Sequence, residues 1–275
     1  MPNHVTTRCT VTGNPEEIKS FMVTMFVTEN NESGVPCTQF DFNKAIPMPK
    51  ILRETISGSI SEEGAQLLCI VETKGKFPHT LHDIRIERMA KSIEMPEASL
   101  YEIAVAYLEK NPDVRRAGER YLEAIALTGY KDWYDWSIAY WGTKWNSYDY
   151  RVESLKPFEF CFDTAWSFPV QVFERLAGMY PNVHFYCRCY DKFGNFAGRG
   201  YFNPPSHESY FKFTDASDEL RDEVYYGRSQ DSHQNSISEE RKASLEDRMA
   251  AAKEKSMAIN FWNKSEGKTT DVLER

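Results

Sequence analysis

Three carboxylates and a histidine, Asp149, Glu159, Asp163 and His184, are the residues whose types could support acid–base chemistry. On neighbouring strands Asp149, Glu159 and Asp163 could converge, one as proton donor and another as acceptor. A solvated sheet face accounts for the same residues equally well. His79, His82 and Asp83 form an H-x-x-H-D run that could hold a metal on a helix, but Pro78 argues for a loop edge and spacing supplies no third ligand. Cys187 and Cys189 share a strand face while His184 points to the other, so they read as buried small hydrophobes and not as ligands. There is no H-E-x-x-H or G-x-S-x-G, and Gly194, Gly198 and Gly200 lie in a hairpin without the order of a phosphate loop. No metal and no cofactor is expected.

The strongest local signal is aromatic. Of six tryptophans, Trp133, Trp136, Trp141, Trp145 and Trp166 fall in one stretch, and two of them bracket W-G-T-K-W-N-S-Y-D, Trp141 to Asp149. Read as structure, the segment is a helix end pinned to a sheet, with Asn146 and Asp149 as turn formers. Read as a recognition site, it offers Trp141, Lys144, Trp145, Asn146, Asp149 and, further on, Trp166 to a partner. Both readings stand on the sequence.

The elements that must position these groups follow from periodicity. His4 to Thr12 reads as a strand; Asn14 caps a helix with Pro15 at its first position and Ile18, Phe21, Met22 and Met25 on one face. Glu29 to Gly34 reads as loop and Pro36 to Phe42 as a short strand. From about Ile51 to Trp145 the texture is helical, clearest over Ser99–Lys110 and Asp113–Leu127, with Trp133, Trp136 and Tyr140 on one face that should be buried. Strands return at Tyr148–Leu155, Phe158–Asp163, Val183–Asp191 and Asn195–Phe202, around a helix from Pro169 to Met179 with Ser167 as cap. The order predicts an α+β fold: a ferredoxin-like split βαβ sheet with one added strand, built from residues 1–28 and 148–205, interrupted by a mostly helical insertion at 29–147. Residues 206–275 read as a charged tail, partly disordered or helical, acidic over Asp215–Glu223 and carrying a thin stripe at Leu245, Met249, Ala252 and Ile259.

Strand alternation sends Val5, Cys9, Phe158, Phe160, Phe162, Phe185, Cys187, Phe196 and Phe202 inward. Arg8, Glu159, Asp163, His184, Tyr186, Arg188, Tyr190, Arg199 and Tyr201 go to the opposite face. If that face is open, Arg8, Tyr186, Arg188, Tyr190, Arg199 and Tyr201 would suit stacked, single-stranded nucleic acid; the helical insertion could instead cover it.

Three motifs in order, M-P-N-H-V-T-T-R-C-T-V-T-G, W-G-T-K-W-N-S-Y-D and F-D-T-A-W-S, resemble the YubB-type ferredoxin-like family of phage and plasmid accessory proteins. The resemblance spans Met1–Gly13 and Trp141 to about Phe202. It implies a ferredoxin-like sheet and a gene carried on mobile DNA, and no catalytic residues.

The net charge of -8 argues against a general phosphate-backbone binder. No apolar run reaches the roughly 20 residues of a membrane span, the start lacks a signal-peptide pattern, and six scattered cysteines do not form a disulfide framework. The expectation is a cytoplasmic, non-catalytic accessory protein that binds a host macromolecule, a protein first, and that counters a host defence or regulatory system. The alternatives are a single-stranded nucleic-acid binder and an enzyme with a carboxylate site.

Overall fold

The computed structural model describes residues 3–30, 34–206 and 208–227. The fold is α+β and divides into two compact units: one holds residues up to Ile46 and from Trp141 onward, the other spans Pro47–Tyr140. Residues 29–46 and 141–147 therefore belong with the sheet and not with the helices.

The sheet unit opens with strand β1 (His4–Gly13) and helix α1 (Pro15–Met25). The Asn14 side chain accepts from the Glu16 and Glu17 amides at 2.9 and 3.1 Å, satisfying two of the helix's orphan donors as the sequence predicts. A hairpin of β2 (Phe26–Asn30) and β3 (Pro36–Phe40) follows. Glu29 and Asn30, expected in a loop, thus belong to β2, because Phe26 leaves the helix to pack against Phe40 and Tyr150. Beyond the helical unit come β4 (Tyr148–Leu155), β5 (Phe158–Ala165), α8 (Val170–Met179), β6 (Val183–Asp191) and β7 (Ala197–Phe202). The α8 cap is Pro169, not Ser167, whose hydroxyl only grazes the Phe168 carbonyl at 3.5 Å.

All pairings in the six-stranded sheet are antiparallel, in the order β4-β5-β1-β6-β7-β8. β1 lies between β5 and β6 and splits the β5-α8-β6 unit; β5 in turn separates β1 from β4. The sheet carries two additional strands where the sequence predicts one. The second is β8 (Tyr210–Thr214), inside the stretch read as tail, where Y-F-K-F alternates after a proline-rich turn. One face buries Val5, Cys9, Phe158, Phe160, Phe162, Phe185 and Cys187 against Phe21, Met25, Val172, Phe173 and Leu176, the expected inward set; Phe196 is only half-buried. Cys9 and Cys187 face one another across the strands, Sγ to Sγ 3.6 Å, inside this core.

The opposite face is not open. Helix α9 (Asp218–Tyr226), capped by the Ser217 hydroxyl and ended by Gly227 at φ +69°, lies over β1, β6 and β7. It buries Leu220 and Val224, so the acidic segment supplies a layer on this face. Arg8 Nε donates to the Val224 carbonyl at 2.7 Å and Nη2 to that of Tyr225 at 3.3 Å, serving acceptors that the last helical turn leaves unpaired. The predicted stripe from Leu245 to Ile259 lies outside the described residues.

The helical unit comprises α2 (Lys50–Arg53), α3 (Ser59–Glu72), α4 (Asp83–Ser92), α5 (Leu100–Lys110), α6 (Pro112–Thr128) and α7 (Trp133–Trp141, its last residue in the other unit). Leu67, Ile70, Met89, Ile103, Ala104 and Leu108 form its core. α3 and α6 cross at Gly64 and Gly118, where a Cβ on either would overlap the facing backbone. Trp136 is buried, yet Tyr140, stacked on it at 4.7 Å, and Ile125 stay exposed, so the predicted apolar faces are wider than the core they meet.

Glu159 receives Arg8 at 2.9 Å, Arg188 at 2.9 Å and the Thr10 hydroxyl at 2.8 Å. Burial alone would raise its pKa; the Thr10 hydrogen bond and the two guanidiniums outweigh it and hold the carboxyl below the ordinary glutamate range. Because the folded pKa is depressed, the stabilisation is present above the unfolded glutamate value of about 4.3 and is lost as pH falls through the lower folded one. Unfolding of Glu159→Gln should therefore depend less steeply on pH below about 4.3 than that of the parent chain, as read by urea titrations across that range. Arg8→Met should cost about 3–5 kcal/mol, since it leaves Glu159 short of a partner and the α9 carbonyls bare, and hydrogen exchange should quicken first in α9.

Candidate functional site: an aromatic rim around Lys144

The starts of β1 and β4 and the ends of β5 and β6 meet at one end of the sheet. The W-G-T-K-W-N-S-Y-D segment wraps this end, and its residues divide into two sets. Trp141 is buried, donates Nε1–H to the Ile46 carbonyl at 2.9 Å and meets Phe42 edge-on. Asn146 accepts from the Phe42 and Ser147 amides, both at 2.9 Å, and donates to Asp41 at 2.7 Å. These two are structural, and the Thr143 hydroxyl joins them by donating to the Ala165 carbonyl at 2.7 Å.

The other set faces outward. The Lys144 ammonium lies 4.9 Å from the Trp145 ring centroid and 5.0 Å from that of Trp166. The two tryptophans are 37% and 38% exposed, so indole surface remains for a partner on both sides of the charge. Trp166 takes φ +78°, unfavourable for a bulky residue, and its amide donates to the Asn3 carbonyl at 2.9 Å. Non-glycine residues held there mark places where surrounding structure overrides local preference. Trp145 leans edge-on against Tyr148, whose hydroxyl meets His4 Nδ1 at 2.7 Å. Burial first, then the Asp163 and Asp149 carboxylates, push the Tyr148 hydroxyl pKa far up, so it stays protonated. Asp149 is exposed at φ +51° beside this group. His4 is the member that sequence reasoning misses: it lies 144 residues from Tyr148, and only the β1–β5 register puts it beside the rim.

Of the acid–base constellation, Asp149 and Asp163 come together beside the Tyr148 hydroxyl, whereas Glu159 and His184 lie away from them. Asp163 pairs with Thr6 of β1 and Glu159 with Thr10, four residues or about 13 Å along the strand. His184 opposes Thr12, farther still, and its ring meets the Asn203 carbonyl. Asp163 is buried against Lys192 Nζ at 2.6 Å, and Glu159 is held by Arg8 and Arg188. His79 and His82 precede α4 and do not ride on it, and among the described residues no group of three or more His, Cys, Asp or Glu is placed to hold a metal ion.

The residues proposed for nucleic acid are also committed. Arg8 and Arg188 are buried at 3% and 8% exposure. Arg199 lies 3.6 and 3.8 Å from Glu219 and Glu223 of α9, Tyr190 meets Tyr225, and Tyr186 stacks on Tyr201 at 4.4 Å while reaching Glu223. The premise of an open aromatic and basic face therefore fails, because α9 fills it. In the helical unit a cavity of about 550 Å³ is lined by Glu54, Arg116, Glu119, Arg120, Tyr121 and Lys131, and within it Arg120 pairs with Glu54 at 2.8 Å, while Arg116, Glu119 and Lys131 pair with Asp113, Arg115 and Asp135. Among the described residues no helix is long and apolar enough to cross a membrane.

The two sets should separate by mutation. Trp141→Ala should cost about 3–5 kcal/mol by cavity formation, whereas Trp145→Ala should stay within about 1 kcal/mol, both read by denaturant unfolding.

No family model matches this chain, and no curated protein does. Among solved structures, a crystal structure of the protein api92 from Yersinia pseudotuberculosis, with the family model DUF1281, is similar at 8% identity, covering 79% of this chain and 99% of that one with a TM-score of 0.35.

Proposed function

We propose that this protein is a non-catalytic binding protein that engages a partner protein through Lys144, Trp145 and Trp166. One observation carries the reading: a lysine ammonium flanked by two indoles, each more than a third exposed, on backbone held by Trp141, Thr143 and Asn146. Tryptophan anchors on a rigid frame lose little conformational entropy on binding and dominate interface energetics. The ammonium adds a directional group between the two apolar surfaces. Asp149 and Tyr148 flank it with polar groups that suit the rim of an interface.

The resemblance to phage and plasmid accessory proteins makes the partner a host macromolecule, and the role one of countering a host defence or regulatory system. The net charge of -8 fits this, since an acidic protein is drawn to a basic, nucleic-acid-binding surface and can occupy it. The acidic contribution assigned to the tail is now split, because Asp218–Tyr226 belongs to α9 on the sheet.

Tagged protein expressed in its host should retain a single protein at near-equal stoichiometry after nuclease treatment. Trp145→Ala and Trp166→Ala should each weaken that complex about 30-fold by calorimetry with circular dichroism unchanged, and Lys144→Ala by less. Binding that survives all three substitutions, or that disappears with nuclease, speaks against the reading.

A further inference from the structure

We propose that the outer edge of β8 receives an extended segment of a partner protein as a further strand, with an acidic side chain opposite Lys212 and an aromatic one opposite Tyr210. This edge is the other margin of the sheet from β4, and the inference does not depend on the aromatic rim.

β8 pairs with β7 on one side, and among the described residues no strand lies on the other, so alternate N–H and C=O groups along it point away from the sheet. The strand is firmly seated. The Phe211 ring lies over Gly198 and Gly200, where a Cβ would come within 2.8 and 2.9 Å of it, and it stacks on Phe168 at 4.0 Å and 6°. A strand fixed this way is a ready template, because little ordering remains to oppose pairing. Tyr210 and Phe213, on opposite faces, are 39% and 49% exposed.

The strand register then specifies what should come next. Across β6, β7 and β8 one row reads Tyr186, Tyr201, Tyr210, with ring centroids 4.4 and 5.9 Å apart, and the adjacent row reads Arg188, Arg199, Lys212. Like charges opposite one another destabilise a sheet unless acids intervene. Arg188 has Glu159 at 2.9 Å, and Arg199 has Glu219 and Glu223 at 3.6 and 3.8 Å. Lys212 has no carboxylate within ion-pair distance among the described residues; its ammonium lies 6.0 Å from the Tyr210 ring. The next strand therefore completes both rows if it brings an acid to one and an aromatic ring to the other.

The same charge discriminates between occupants. A second copy paired antiparallel about Lys212 would set two ammoniums face to face, which is how edge lysines guard against self-association. Nucleic acid would meet Asp218, Glu219, Asp222 and Glu223 of the neighbouring α9. A peptide strand with one acid opposite Lys212 sets no two ammoniums face to face, and it brings a single negative charge where nucleic acid brings one per phosphate.

The test uses the full chain and a capped synthetic peptide, Thr-Val-Glu-Val-Tyr-Thr, which in antiparallel register sets Glu against Lys212 and Tyr against Tyr210. Amide NMR shifts should move along β8 and little elsewhere, and N-methylation of the peptide backbone on the paired side should abolish the effect. Lys212→Glu should weaken the peptide about threefold, as expected of an exposed pair, and should reverse the preference toward the same peptide with Lys in place of Glu. An unmoved β8, indifference to N-methylation on either side of the peptide, an unreversed charge preference, or self-association of the chain through β8 would each overturn the proposal.

Discussion

A guanidinium in the middle of the sheet sets the terms for everything around it. The strand register places Arg151, Arg8, Arg188, Arg199 and Lys212 in one row across the sheet, with Cys161 the only uncharged member. Such a row is untenable without counter-charges and acceptors. Glu153 and Glu159 supply part of the need from β4 and β5; the rest is met when α9 lays its last carbonyls on Arg8 and its glutamates beside Arg199. An acidic helix that looks dispensable in sequence is thus the electrostatic complement of the face. Leu220 and Val224 add apolar burial to the same docking, so packing and charge select one register for the helix.

The aromatic rim follows the opposite principle. There the backbone is overdetermined and the side chains are left partly in solvent. Trp141 and Asn146 spend their hydrogen bonds on holding the segment, and Trp166 is held at a positive φ, so that Lys144, Trp145 and Trp166 keep their mutual geometry without being buried by it. A cation between two rings exposes less hydrophobic surface than two bare indoles would, which lowers the aggregation risk of an exposed aromatic site.

The elements with strong period or cap chemistry were legible from residue order: β1 with its Asn14-capped helix, the Phe-rich β5, the β6–β7 hairpin and the long helices around residues 99–128. What was not legible has physical causes. β2 continues directly from a helix without a breaker, and β8 is short, so local signals were weak. The docking of α9 depends on Arg8, more than two hundred residues away, and no local pattern carries such a pairing. The tryptophan segment stands out in residue order, but its separation into a buried Trp141 and the exposed Trp145 and Trp166 depends on the strand register. Alternation assigned Arg8 and Arg188 to the face opposite the aromatic core, and only the covering layer decided whether that face met solvent.

The hydrogen bond from Trp141 to the Ile46 carbonyl closes a circuit, since it ties the residue where the chain leaves the sheet unit to the one where it returns. In folding, β1 and α1 must wait for β4 and β5 across the whole excursion from Pro47 to Tyr140, and the entropy of closing that loop opposes early sheet formation. Helices dominated by local contacts form ahead of such long-range pairing and shorten the effective loop. The Trp141–Ile46 hydrogen bond then acts as a clasp inside the sheet unit, fastening the two ends of that long loop once they have met.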